Sequence, residues 1–177
     1  MDGFPKTVRA ADVPYTVILR SGAELFDDEA AEVADLIHSC GAVKGTVEQI
    51  ESRVRRAHLL IIARWAKEIS GVAALKSPDT TYRKRLKEGV GVDVTESEYP
   101  TELGYVAVSK ANRGRRLSSV LMEELMSLPI GRDGVFATTK REGYRKAALP
   151  DLGFKCRGSY LNDERETVYL LTKAPNI

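Results

Sequence analysis

The segment Arg113-Gly114-Arg115-Arg116-Leu117-Ser118-Ser119 holds three arginines in four positions, followed by two hydroxyl side chains. Side chains of these types, set this closely, bind anions. Guanidinium groups offer forked, charged donors to phosphate oxygens. Serines add hydroxyl donors, and glycine lets the backbone approach a ligand closely. Ahead of the cluster, Glu102-Leu103-Gly104-Tyr105-Val106-Ala107-Val108 reads as a strand. After it, Leu117, Val120, Leu121 and Leu125 recur at helical spacing, which predicts a helix from about Arg115 to Met126. A strand that stops, a short basic turn and a helix that starts point backbone N–H groups and a positive helix end at one spot. The ligand predicted for that spot is a phosphate or pyrophosphate.

The remaining elements must position this junction. Tyr15–Leu19 reads as a strand after a loose lead-in over 1–14. Ala30, Val33, Ile37 and Cys40 predict a helix over Asp27–Cys40, with Asp28, Glu32 and Asp35 on its other face. Thr46 and Gln49 form a capping box that opens a second helix. His58–Arg64 and Glu68–Leu75 predict an antiparallel hairpin turning at Ala66-Lys67. The stretch 76–101 is irregular, with Asp79 placed to cap a short helix over Thr80–Glu88 that carries Tyr82 and Leu86 on one side. Beyond the junction, Gly134–Thr139 is a strand, Glu142–Leu149 a short helix stopped by Pro150, and Gly153–Tyr160 and Thr167–Leu171 the closing strands. The fold class predicted is α/β, a mixed sheet with helices on both faces. The organisation is a lead-in (1–14) and one domain (15–173) with an insert at about 76–101.

Composition sets the bounds. The 177 residues are 43% hydrophobic and 29% charged with a net charge of +2, which predicts one folded domain. The charge is too small to point to nucleic acid, and aromatic residues do not interleave with the arginines. Cys40 and Cys156 lack the spacing of a metal site, so no metal is expected and a reduced, cytoplasmic setting is. Met1-Asp2-Gly3-Phe4-Pro5 lacks the regions of a signal peptide. The longest strongly apolar run, Leu59–Ala63, falls far short of the ~20 residues of a membrane span, so no membrane partner is expected.

The order of elements, with the junction on the fourth predicted strand and third predicted helix, resembles the GNAT superfamily of acyl-CoA-dependent N-acyltransferases. The resemblance runs from about Tyr15 to Lys173, and its specific part is Glu102–Leu121. Val106-Ala107-Val108 matches the family's strand end, and Arg113 to Ser118 falls in register with its Arg/Gln-x-x-Gly-x-Gly/Ala loop. Gly153-Phe154 matches its closing Gly-Phe. The resemblance implies a mostly antiparallel central sheet, splayed between the fourth and fifth predicted strands. It implies acetyl-CoA as acyl donor, its pantetheine arm on Val106, Ala107 and Val108. The pyrophosphate would lie on Arg113, Gly114, Arg115, Arg116, Leu117 and Ser118, with Ser119 as an extra donor. Three positions depart from the pattern. Arg116 stands where the family normally has Gly, Ser118 where it has Gly or Ala, and Leu149 where it often has a Tyr that protonates the leaving thiolate. Arg116 is expected at negative φ, inside the started helix.

Acyl transfer to an amine needs a proton acceptor, because most aliphatic amines are protonated near pH 7. Glu102 is the candidate base, by its strand and by its resemblance to the family's strand-borne Glu. Glu96 and Glu98 are weaker candidates, and Tyr144 is the one nearby phenol that could serve as acid. Strand parity sets Tyr105 on the core side. His38 reads as structural and Cys156 as a buried strand residue. Lys140, Arg141, Arg145 and Lys146 form a second basic cluster, diluted by Glu142 and read as a solvated helix start. The predicted activity is N-acetyl transfer to a primary amine of a small molecule or peptide. A cationic amine would suit the acidic face of the first helix. The alternative is a non-catalytic acyl-CoA-binding sensor. The insert could be an acceptor lid, a dimer contact that would make a homodimer, or an ornament.

Overall fold

The computed structural model describes residues 5–41 and 43–175. Its strands are β1 (Lys6–Ala10), β2 (Val13–Arg20), β3 (Leu59–Trp65), β4 (Glu68–Lys76), β5 (Thr101–Val108), β6 (Val135–Thr139), β7 (Lys155–Leu161) and β8 (Thr167–Lys173). Its helices are α1 (Asp27–Ser39), α2 (Val47–Val54), α3 (Thr80–Val90), α4 (Leu117–Ser127), α5 (Pro129–Arg132) and α6 (Leu149–Asp151). The strands form one sheet in the order β1-β2-β3-β4-β5-β6-β8-β7. β5 and β6 pair in parallel, while β1–β2, β2–β3, β3–β4, β6–β8 and β7–β8 are antiparallel. The mixed, mostly antiparallel sheet is the one predicted. So is the splay: β5 and β6 are in register only at Thr101↔Val135, Glu102↔Phe136 and Leu103↔Ala137, although both strands run on.

The chain divides into two compact units, one of residues 1–76 and 105–125, the other of 77–104 and 126–177. In the first, α1 and α2 pack Ala30, Val33, Ile37, Ile50 and Val54 against Leu60, Ile62, Val72 and Ala74 of β3 and β4. Full burial of side chains this size stabilises by about 1.5–3 kcal/mol each. The Thr46–Gln49 capping box opens α2 as predicted. Strand β1 occupies part of the predicted lead-in. Val8 and Ala10 alternate with exposed Thr7 and Arg9, enough for a half-buried strand, and a two-residue turn at positive φ (Ala11, Asp12) folds it onto β2. The predicted β3–β4 turn is at Ala66-Lys67, both at positive φ.

In the second unit, Leu86 of α3 packs with Val94, Phe136 and Leu170. Asp79 caps α3 through the Tyr82 N–H at 2.7 Å, and Gly91 ends it at φ 76°. Pro150 does not stop a helix: a π-helical turn (Tyr144–Ala148) runs directly into α6, of which Pro150 is the second residue. Cys156 is exposed rather than buried, because it lies near the start of β7, the strand that ends the sheet order, where only Gly158 and Tyr160 are partly covered.

Candidate active site

The first unit builds the junction where an anion is expected. Strand β5 ends at Val108, a 3-10 turn covers Lys110–Asn112, and α4 begins at Leu117. Buried Asn112 anchors the turn. It accepts the Tyr15 hydroxyl at 2.8 Å and donates to Ser109 Oγ at 2.9 Å, and the Ser109 N–H donates to the Ser70 carbonyl at 2.9 Å. Gly71 lets α4 sit close to β4: a Cβ there would lie 3.0 Å from Leu117 and 3.1 Å from Leu121. The loop then doubles back through Gly114 at φ 77° and Arg116 at φ 60°.

Arg116 is therefore not inside the helix at negative φ. It precedes α4, and its carbonyl accepts the first helical bond, from Val120 N–H at 3.1 Å. That position has the left-handed backbone for which glycine is suited, at a cost of roughly 1–2 kcal/mol for a side-chain residue. The backbone N–H groups of Leu117, Ser118 and Ser119 head the helix, where an α-helix provides them no partner. Ser118 and Ser119 are half-buried, Arg113 and Arg116 exposed, and Arg115 lies over the Trp65 ring at 5.8 Å. Val106 and Val108 are half-buried and Ala107 is buried in the core. The Val108 carbonyl accepts the Cys40 thiol at 3.3 Å, and Arg113 Nη2 lies 3.9 Å from that sulfur. Tyr105 packs on the same core as parity predicts, but at φ 50° it kinks β5 in mid-course. Such backbone strain collects near functional sites.

The second unit holds the carboxylate. Glu102 is 2% exposed, and its Oε1 accepts from Tyr82 Oη at 3.2 Å and Thr138 Oγ1 at 3.0 Å. The two hydroxyl oxygens lie 3.0 Å apart. Burial first, then the Glu102 charge, pushes the Tyr82 phenol well above its usual 10, so it keeps its proton. The same two causes, in that order, raise Tyr160. Buried Arg83, next to Tyr82 in α3, donates to the carbonyls of Val94 (2.6 Å), Tyr99 (2.9 Å) and Pro100 (3.1 Å). It thereby ties the segment that leads into β5. Tyr82, Arg83 and Thr138 were not predicted as site residues. The available signal was Tyr82, three residues after the capping Asp79 and on the same helical side as Leu86.

Tyr144 is half-buried at the start of the π-helical turn, with the Arg141 guanidinium 5.9 Å from its ring, and Leu149 behind it is 2% exposed. The second basic cluster is largely spent on ion pairs: Lys140 with Glu166 at 2.7 Å, Arg145 and Lys146 with Glu142 at 2.8 and 2.9 Å. Glu96 and Glu98 are exposed, and so is His38. On α1, Glu32 and Asp27 pair with Arg64 and Arg55 at 3.1 and 2.8 Å, while buried Glu29 faces Arg20 and Arg64 at 3.8 and 3.5 Å. Among the described residues no cluster of three or more His, Cys, Asp or Glu could hold a metal, and no helix is long and apolar enough to cross a membrane.

No protein-family model and no curated protein sequence matches the chain. Solved structures do. An acyl-CoA N-acyltransferase from Pseudomonas aeruginosa superposes with a TM-score of 0.65 at 16% identity, over 90% of this chain and 99% of its own. The ribosomal-protein-S18-alanine N-acetyltransferase from Escherichia coli gives 0.64 at 12% identity, over 91% and 95%. A GNAT-family acetyltransferase from Streptococcus agalactiae gives 0.62 at 16% identity, over 91% and 96%.

Proposed function

We propose that this chain, which has the fold of the GNAT acetyltransferases, is an N-acetyltransferase that moves the acetyl group of acetyl-CoA to a primary amine. The observation that carries the reading is the junction between Val108 and Ser119. It has the chemistry that a pyrophosphate needs: helix-start N–H groups, two serine hydroxyls and exposed guanidinium groups around a left-handed turn. A Cβ on Gly114 would meet nothing within 4 Å, so the turn is open to a ligand. Arg113, Gly114, Arg115, Arg116, Leu117, Ser118 and Ser119 would hold the phosphates. Val106, Ala107 and Val108 would offer strand-like backbone bonds to the pantetheine arm.

Acyl-CoA supplies an activated thioester. The chain's part is to orient it and to manage protons. Glu102 takes the proton released by the attacking amine. Being 2% exposed, it receives that proton through a water or hydroxyl rather than by touching the amine. Tyr144 is the proton donor to the leaving sulfur, in place of the phenol absent at Leu149. The acceptor is a small-molecule or peptide amine and the setting cytoplasmic. Burial of Glu102 and the leucine at 149 favour one other reading, an acyl-CoA-binding sensor without turnover.

Thiol release from acetyl-CoA, measured across polyamines, aminoglycosides and lysyl peptides, separates the two. Turnover with at least one amine, falling about 10²–10⁴-fold in Glu102→Gln with acetyl-CoA binding intact, is the expected result. Binding without release for any amine would select the sensor.

A further inference from the structure

Glu102 is a buried carboxylate whose Oε1 receives two hydroxyl donors from different elements, Tyr82 of α3 and Thr138 of β6. Donors that converge on one oxygen fix the rotation of the carboxyl plane. The Tyr82 ring is itself held, tilted at 6.5 Å from Phe136 and beneath Arg85 at 5.8 Å, while its N–H is bonded to the capping Asp79. Arg83 locks the following segment to α3 through three carbonyls. The inserted segment is thus part of the second unit's core, and it delivers a hydroxyl to the carboxylate.

We propose that Tyr82 is a positioning residue for Glu102, with Thr138 as its partner, and that α3 belongs to the apparatus of the transfer reaction rather than serving as a lid. The proposal rests on Glu102 being the proton acceptor. Tyr82 does not exchange its own proton; its raised phenol keeps it a donor throughout the working range. Its effect is on where the carboxylate points.

The test is steady-state kinetics with acetyl-CoA and spermidine or a lysyl peptide. Tyr82→Phe should lower kcat about ten- to a hundredfold and leave KM for acetyl-CoA unchanged. Thr138→Val should lower kcat similarly, and Thr138→Ser, which keeps the hydroxyl, should stay near the wild-type value. A Thr138→Ser variant that loses as much kcat as Thr138→Val, or a Tyr82→Phe variant that changes KM for acetyl-CoA and not kcat, overturns the proposal. If Glu102→Gln turns over like the wild type, the base assignment falls, and this inference with it. If Glu102→Gln is inactive while Tyr82→Phe keeps full kcat, only the positioning role falls.

Discussion

Arg116 concentrates the residue-scale tension in this protein. It carries charge to the loop proposed to bind phosphate but stands at φ 60°, where a side chain is strained. Arg116→Gly should therefore raise stability by about 1 kcal/mol, the left-handed cost less glycine's extra entropy loss. In a domain this size that is about 2–4 °C in Tm. The same variant should weaken CoA binding through loss of the guanidinium, most visibly at low salt. Calorimetry checks both; a lower Tm would contradict the strain argument. Residue types and spacing sufficed to mark this junction, because a strand pattern, a basic turn with glycine and a helical stripe follow one another in the sequence. They could not show that the helix starts at Leu117 rather than Arg115, since the register is set by Gly71 admitting Leu117 and Leu121 from across the unit. Nor could they show Tyr82 and Thr138 on Glu102. Those partners lie 20 and 36 positions away, and only folding brings them together.

At the scale of elements, α2 and α3 are held by side-chain caps and the turn before α4 by a small buried network. Asp79→Ala removes the N-cap of α3 and should cost about 1 kcal/mol in urea denaturation. It should also loosen Tyr82, so a loss of turnover larger than the stability loss explains is expected. Asn112→Ala leaves the buried Tyr15 hydroxyl and the 3-10 turn without their partner, and should cost about 1–3 kcal/mol. The β7–β8 end and the π-helical turn carry a pH dependence. The Arg145 and Lys146 partners hold the Glu142 carboxyl down at about 2, and Lys140 and Asn162 do the same for Glu166, also about 2. A depressed folded value means that this stabilisation is present above the ordinary carboxylate range near 4.5 and is lost as pH falls toward 2. Both groups are exposed, so the effect is small and screened by salt. Glu142→Gln should lower stability slightly above pH 4.5, where the ion pairs are intact, and meet the wild-type curve near pH 2, so that its profile is flatter between pH 4.5 and 2. The capped helices and the Ala66-Lys67 hairpin were legible in sequence, each from a local signal. Strand β1 was not, because five alternating residues at the end of a chain give too short a pattern to separate from a loop.

At the scale of the whole molecule, the order of elements was the readable feature, and it led to the acyltransferase fold although identity to the three solved structures named above is 12–16%. Fold alone does not select a function. The central claim is that the loop from Arg113 to Ser119 holds the phosphates of a coenzyme A thioester. The most direct test is thermal unfolding with and without acetyl-CoA. At about 100 times its dissociation constant, a ligand of the folded state adds about 2.7 kcal/mol. That is a rise of about 5–11 °C here. Desulfo-CoA should give a similar rise, and replacing Arg113 and Arg116 together with Ala should remove most of it. A wild-type Tm that does not move with acetyl-CoA, desulfo-CoA or CoA would contradict the account.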